Sequence, residues 1–215
     1  MKDSAFTAAT YDLFMQTLDP LLIKNWRRRL WNKVKPPCIL EAGAGTGLNT
    51  PFYRSDYEIT ALDNNIHFLE RARQKARNSG VKAKFVLGDV QDLPFPDNTF
   101  DSAVTTFLFC QLADPLRGLK ELQRVLKPGG QLLLLEHVRP KGKLEGLISS
   151  LSEPIYRLTG EQIAHDTDFF VRKAGFTNLT TDPLLLSIIK IIEAKKQNDL
   201  AAEKPIAIIA SPGIC

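Results

Sequence analysis

Short apolar runs alternate with amphipathic stretches along most of this chain. The apolar runs predict seven strands, at 38–42, 58–62, 84–87, 100–106, 131–137, 176–181 and 187–194. Helical spacing of apolar residues between them predicts helices near 47–54, 67–78, 114–126 and 161–174. Strands alternating with helices indicate an α/β fold, in which a doubly wound parallel sheet carries helices on both faces.

A glycine-rich turn follows the first predicted strand. Glycine occupies positions 43, 45 and 47, directly after Glu41 and Ala42. Glycine tolerates positive φ and leaves no Cβ between the main chain and a ligand. The dinucleotide fingerprint would place its third glycine at position 48, which is Leu48 here. This departure disfavours NAD or FAD and fits a nucleoside ligand without a pyrophosphate.

Acidic residues follow the second and third predicted strands. Asp63 comes 20 residues after Gly43, at the distance where a carboxylate holds a ribose hydroxyl pair. Asp89 follows the next strand, with Val90 after it. Asp63 could instead cap the following helix, and Asp89 could be a turn residue. Because both end neighbouring strands of one sheet, we favour a shared ligand role.

Five motifs occur in an order that characterises one enzyme family. They are Glu41-x-Gly43-x-Gly45-x-Gly47, Asp63, Gly88-Asp89-Val90, Phe100-Asp101 and Lys127-Pro128-Gly129-Gly130. From about residue 11 to 195 the chain resembles the class I S-adenosylmethionine-dependent methyltransferases, and within them the ubiquinone/menaquinone C-methyltransferase-like branch. The runs Phe107–Cys110 and Leu135–Val138 are also similar to methyltransferase-like thiol methyltransferases and bacterial phospholipid N-methyltransferases.

The resemblance implies a Rossmann-like sheet whose last strand is antiparallel, with S-adenosylmethionine as cofactor. It implies that Glu41 and the turn face the methionine part, whose carboxylate meets backbone amides and the next helix N-terminus. It places the ribose on Asp63, and Asn64 along the adenine, whose amino group lies at Asp89 and Val90. The full set of implied cofactor residues is Glu41, Gly43, Ala44, Gly45, Gly47, Asp63, Asn64, Asp89, Val90, Thr105 and Thr106.

Two residues are candidates for roles in catalysis. His137 ends the fifth predicted strand, where it could act as a general base or orient the acceptor, or serve only a structural role. Tyr11, with Asp12, resembles the aromatic-acidic pair that forms a lid over the cofactor in this family. Methyl transfer from a sulfonium needs no metal, and three widely spaced cysteines match no zinc site.

The size and composition predict one globular unit. The chain has 215 residues, of which 44% are hydrophobic and 24% charged. It has no signal-peptide pattern and no apolar run long enough to span a bilayer, so we expect a cytoplasmic protein. We divide it into an N-terminal helical segment (1–35), a methyltransferase domain (36–195) and a tail (196–215).

The excess positive charge lies in the N-terminal segment. Residues 1–35 contain seven Lys or Arg and three Asp, whereas the other 180 residues contain 21 of each sign. Within 20–34 the residues Ile23, Trp26, Leu30 and Val34 share one helical face. This face could insert into an anionic membrane surface, with the basic residues at the headgroups and the protein peripheral on the inner face. Alternatively, it packs on the sheet.

The acceptor is predicted to be small and lipophilic. Thr105-Thr106-Phe107-Leu108 stands where enzymes that methylate nucleic-acid amino groups carry Asn/Asp-Pro-Pro-Tyr/Phe, so we expect no nucleic acid partner. A phosphatidylethanolamine-type amine is favoured because it uses the basic helix, and a thiol or a quinol carbon remains an alternative. A non-catalytic nucleoside-binding module and a Rossmann-type oxidoreductase are the rivals. We expect a monomer or homodimer.

Overall fold

The computed structural model describes residues 22–112, 114–138, 166–185 and 189–198. Within them lies one seven-stranded sheet with strand order β3-β2-β1-β4-β5-β7-β6. Its strands are β1 (Cys38–Ala42), β2 (Glu58–Asp63), β3 (Ala83–Leu87), β4 (Phe100–Thr106), β5 (Leu126–His137), β6 (Phe176–Leu185) and β7 (Ile189–Lys196). Strands β1 to β5 pair in parallel, and β7 is antiparallel to both β5 and β6. The predicted α/β fold with its antiparallel last strand is confirmed.

The described helices are α1 (Leu22–Trp31), α2 (Ile66–Asn78), α3 (Pro115–Val125) and α4 (Thr167–Lys173). Asp114 caps α3 by accepting a hydrogen bond from the Arg117 amide at 3.0 Å, with Pro115 in the first turn. This cap was predicted from the sequence, since Asp is favoured at the N-cap and proline at the first helical position.

Several predicted boundaries are wrong, since β6 continues to Leu185 and β7 runs from Ile189 to Lys196. The helix expected near 47–54 is only a 3-10 turn at Thr50–Phe52, because the preceding glycines have positive φ and Pro51 lacks an amide hydrogen. Strand β5 begins at Leu126, which pairs with Phe100 before the register shifts, so the Lys127-Pro128-Gly129-Gly130 segment lies inside the strand.

The core lies on both faces of the sheet. Along β5, Leu132 and Leu134 belong to one buried cluster, and Leu133 and Leu135 belong to the other. Adjacent residues of a strand point to opposite faces, so this central strand is buried on both sides. Each face therefore carries its own hydrophobic layer, and the carboxyl ends of the parallel strands form one edge between the layers.

The N-terminal helix α1 packs on the sheet. Trp26, Leu30, Trp31 and Val34 are buried in the same cluster as Leu133 and Leu135. Insertion of this apolar face into a membrane is therefore wrong as a prediction, since the sheet already covers it. Four basic residues stay exposed on the outside of the helix and the turn that follows it, namely Lys24, Arg28, Arg29 and Lys33. No described helix is long and apolar enough to cross a bilayer.

Candidate active site

The glycine turn lies at the carboxyl edge of the sheet. Gly43, Gly45 and Gly47 all have positive φ, at 73°, 55° and 80°. A Cβ on Gly47 would lie 2.7 Å from the Ala72 Cα, and one on Gly43 would lie 2.8 Å from a Leu108 methyl carbon. A Cβ on Gly45 would meet nothing within 4 Å. The outer glycines therefore permit close packing, and Gly45 is the glycine of the turn that borders open space.

The amides of this turn are mostly bonded within the chain. The amides of Gly43 and Ala44 donate to the Leu62 carbonyl, and that of Gly45 donates to the Asp63 carboxylate at 2.7 Å. The Gly47 amide donates to the Ala44 carbonyl. These bonds, and the absence of an α-helix at Thr50–Phe52, do not support the prediction that turn amides and a helix dipole receive a carboxylate. Contact of the turn with the cofactor stays a prediction.

Asp63 lies beside the turn at the end of β2. Its side chain is 8% exposed, and its second oxygen accepts a hydrogen bond from the Asn65 amide at 2.9 Å. Burial raises the pKa of this carboxyl. The cap of α2 is Asn65, which accepts the amides of His67 and Phe68, so Asp63 is not the helix cap. Its carboxylate instead joins the glycine turn to the start of α2.

Next to Asp63 lie the other residues predicted to contact adenosine. Asn64 is exposed, and Ile66, which the sequence analysis did not identify, is an exposed apolar residue at 37%. The Gly88 amide donates to the Asp63 carbonyl at 3.0 Å, which brings the exposed Asp89 close to the end of β2. Asp89 accepts the Gln91 amide, and Val90 is buried in the core. The structure thus brings the two predicted acidic residues to one edge.

Glu41 is fully buried within a polar network. Its carboxyl group accepts hydrogen bonds from the side-chain nitrogen Nδ2 of Asn49 at 2.5 Å and from the Tyr53 hydroxyl. Asn49 also donates to the Thr106 hydroxyl at 3.1 Å. Desolvation raises the pKa of Glu41 to about 8, and the Asn49 hydrogen bond and the nearby Arg27 charge oppose this shift. Both of its oxygens have protein partners, so the role of Glu41 is to fix the positions of Asn49 and Tyr53.

Arg27 belongs to the same network. Although the sequence pattern placed it with the solvated cations of α1, its side chain is only 3% exposed. Its Nη1 donates to the Asn49 side-chain oxygen at 2.9 Å and to the Thr106 hydroxyl at 3.1 Å. The N-terminal helix is therefore joined to the glycine turn and to the end of β4.

A second buried carboxylate holds the loop after β4. One oxygen of Glu136 accepts the amides of Leu108 and Phe109 at 2.9 and 3.1 Å, and the Thr105 hydroxyl lies 3.4 Å away. The other oxygen is buried without a partner among the described residues. Desolvation raises the pKa of Glu136 to about 7, against these hydrogen bonds. Because Leu108 lies against Gly43, Glu136 fixes the loop that forms one wall of the turn.

His137 lies next to this loop on the other face of β5. Its ring centroid is 4.8 Å from that of Phe107, whose φ is 54°, a strained value for a large side chain. The Nδ1 atom is buried without a hydrogen-bond partner among the described residues. Burial lowers the pKa of His137, which keeps the imidazole neutral at pH 7.

Besides the exposed Ile66, four buried residues of this site were not predicted from the sequence. They are Arg27, Asn49, Tyr53 and Glu136. A carboxylate at the end of an apolar run was a usable signal for Glu136, since buried strands rarely contain an unpaired charge. No local sequence pattern distinguished Asn49 or Tyr53 as site residues. Tyr11, the predicted lid residue, lies outside the described residues.

Known proteins with similar sequences are methyltransferases. A family model described as a methyltransferase domain matches residues 40–134. The ubiquinone/menaquinone biosynthesis C-methyltransferase UbiE of Marinomonas sp. (strain MWYL1) is 32% identical over 173 residues, which cover 76% of this chain and 69% of that protein. The phosphatidylethanolamine N-methyltransferase of Cereibacter sphaeroides is 36% identical over 117 residues, covering 53% of this chain and 58% of that protein.

A solved structure shares the fold. Phosphoethanolamine N-methyltransferase 2 of Haemonchus contortus, solved with S-adenosyl-L-methionine, has a TM-score of 0.69 at 14% identity, covering 81% of this chain and 53% of that one. The 32% identity to UbiE over most of both chains shows that this chain belongs to the class I S-adenosylmethionine-dependent methyltransferases, in their ubiquinone/menaquinone methyltransferase-like branch. S-adenosylmethionine is its cofactor, as predicted. Its relatives include both carbon and nitrogen methyltransferases, so the family alone leaves the acceptor undetermined.

Proposed function

We propose that this methyltransferase acts on a small lipophilic acceptor at an anionic membrane surface, and that a phosphatidylethanolamine-type amine is the preferred acceptor. One observation carries the proposal. Two neighbouring arginines of α1 have different surroundings, since Arg27 bonds to Thr106 at the site while Arg28 is exposed to solvent. A helix that reaches the reaction edge through Arg27 thus carries exposed cations on its outer side, where anionic headgroups would be attracted.

The membrane contact is electrostatic. Of the exposed cations, Arg29 pairs with Asp182 at 2.6 Å and Lys33 pairs with Glu193 at 3.4 Å. Lys24 and Arg28 have no acidic partner among the described residues and supply the attraction. Each basic residue near an anionic surface contributes about 1 kcal/mol. The protein is then peripheral on the inner face of the membrane, held without insertion of its apolar side chains.

The donor site takes its shape from the edge of β1, β2 and β3. Asp63 would hold the ribose hydroxyls, with Asn64 along the adenine and Asp89 at its amino group. The open space at Gly45 and the adjacent carboxylate of Asp63 fit a nucleoside there. Glu41 would hold the side chains of Asn49 and Tyr53 in place. These side chains, close to Thr105 and Thr106, would shape the part of the site that binds the methionine end of the donor.

The donor supplies a methyl group already activated on a sulfonium, so the protein has to position the acceptor and accept a proton. A neutral amine lone pair forms the bond to the methyl carbon as the carbon–sulfur bond breaks. The nitrogen then loses a proton. His137 would accept it at Nδ1, which has no hydrogen-bond partner among the described residues and is unprotonated because burial lowers the pKa of the imidazole.

A quinol carbon is the second candidate acceptor. It is favoured by the UbiE-type relative, whose match covers more of this chain than that of the phospholipid enzyme. Carbon methylation also needs a base near the acceptor, and His137 would serve there too. A thiol acceptor and a non-catalytic module remain alternatives that the following experiment distinguishes.

The test is a labelling experiment with radioactive methyl donor. The protein is incubated separately with phosphatidylethanolamine/phosphatidylglycerol vesicles, with a demethylated quinol and with a small thiol. We expect label in methylated phosphatidylethanolamine. Label in the quinol or the thiol alone would contradict the preferred acceptor, and no label in any fraction would favour the non-catalytic alternative.

The membrane contact has its own measurement. The double variant Lys24→Glu/Arg28→Glu should sediment less with anionic vesicles than the wild type. The matched control Lys82→Glu/Lys120→Glu makes the same charge change at exposed positions away from α1. If both double variants lost vesicle binding equally, the effect would be due to net charge alone. If neither lost binding, α1 would be excluded from the membrane contact. The same sample in analytical ultracentrifugation distinguishes a monomer from a homodimer.

A further inference from the structure

The methyl donor ends in an α-amino acid, and its carboxylate needs a positively charged or hydrogen-bonding partner. The amides of Gly43, Ala44, Gly45 and Gly47 already donate to other groups of the chain. The 3-10 turn at Thr50–Phe52 is too short to supply a helix dipole of useful size. Most of the turn amides expected to receive the carboxylate are therefore already occupied in this arrangement.

A cation lies close to where that carboxylate would be. The Arg27 guanidinium donates to Asn49, two residues beyond the last glycine of the turn, and to Thr106 at the end of β4. It also lies 5.8 Å from the centroid of the Phe107 ring. These partners belong to the two elements that flank the methionine end of the donor. The guanidinium is thus held in place at the junction of the turn and β4.

We propose that Arg27 binds the α-carboxylate of S-adenosylmethionine. The inference rests on the glycine turn being the donor site, as set out under the proposed function. A guanidinium presents donors in a planar fork that matches a carboxylate, and such charge-assisted bonds are stronger than neutral ones. The buried position strengthens the attraction further, because the local dielectric constant is low.

Two ligands separate this role from a structural one. S-adenosylhomocysteine carries the α-carboxylate, and 5′-methylthioadenosine has the same nucleoside without the amino acid. Calorimetric titration of Arg27→Gln should show at least tenfold weaker binding of S-adenosylhomocysteine, the loss expected for one charge-assisted bond. Binding of 5′-methylthioadenosine should change less than twofold. The control Arg77→Gln, which alters an exposed arginine in the last turn of α2, should leave both affinities unchanged.

The variant Arg27→Lys guards against a folding defect. It keeps the charge but not the planar fork, so its affinity for S-adenosylhomocysteine should lie between those of the wild type and Arg27→Gln. Equal weakening of both ligands would mean that Arg27 only supports the fold. Unchanged binding of S-adenosylhomocysteine in Arg27→Gln would place the carboxylate elsewhere. Failure of the wild type to bind either ligand would overturn the donor site itself, and this inference with it.

Discussion

Replacing Gly45 by alanine should damage donor binding more than folding. Gly45 has a φ of 55°, in the left-handed region, where an alanine costs about 1–2 kcal/mol. The new methyl group would meet nothing within 4 Å in the protein, so no steric clash adds to that cost. It would instead project into the open space beside Asp63, where the donor is expected. Urea denaturation gives the folding cost, and titration with S-adenosylhomocysteine gives the binding cost.

Gly80 provides the matched control. It follows α2 with a φ of 67°, and a Cβ there also meets nothing within 4 Å. Gly80→Ala should therefore lose the same 1–2 kcal/mol of stability, approximately, and keep full donor affinity. We expect Gly45→Ala to bind S-adenosylhomocysteine more than tenfold more weakly. Equal affinities in the two variants would refute the assignment of the open space at Gly45 to the donor.

Three further predictions concern Asp63, His137 and the two buried glutamates. Asp63→Ala should weaken S-adenosylhomocysteine binding by about 1–3 kcal/mol in calorimetry, the cost of unpaired ribose hydroxyls, and unchanged affinity would remove that role. His137→Ala should lower the rate of labelled methyl transfer more than tenfold without changing donor affinity, and a near-normal rate would make the histidine structural. Because the pKa of Glu41 is raised to about 8 and that of Glu136 to about 7, the folded protein holds protons that the unfolded chain releases above about pH 4.5. Stability should therefore fall as pH rises from about 5 to 8, and a Glu41→Gln/Glu136→Gln variant should show a flatter urea-denaturation profile.

Local pattern predicted the parts of the fold that depend on neighbouring residues. Strand β4 runs Phe100–Thr106 as predicted, since an apolar run bounded by polar loops specifies a buried strand. Asp114 and Pro115 marked the start of α3, because Asp is favoured at the N-cap and proline at the first helical position. Asp63 could be placed at the site because its distance from the glycine turn reflects one βαβ unit.

Contacts between distant residues could not be predicted in this way. Arg27 bonds to partners 22 and 79 residues away, and helical periodicity assigns any arginine to the solvent side. Glu136 interacts with a loop 27 and 28 residues earlier. Such buried polar groups depend on tertiary packing, which the local sequence does not specify. The prediction of a helix after the turn was wrong. Three glycines with positive φ and a proline without an amide hydrogen prevent the α-helix that the apolar spacing predicted.

The central claim is that the edge formed by the glycine turn, Asp63 and Asp89 binds the methyl donor. A crystal structure with S-adenosylhomocysteine tests it most directly. We expect the ribose hydroxyls to lie within hydrogen-bond distance of the Asp63 carboxylate and the nucleoside to lie beside Gly45. A nucleoside bound away from this edge, with Asp63 making only its bonds to Gly45 and Asn65, would contradict it.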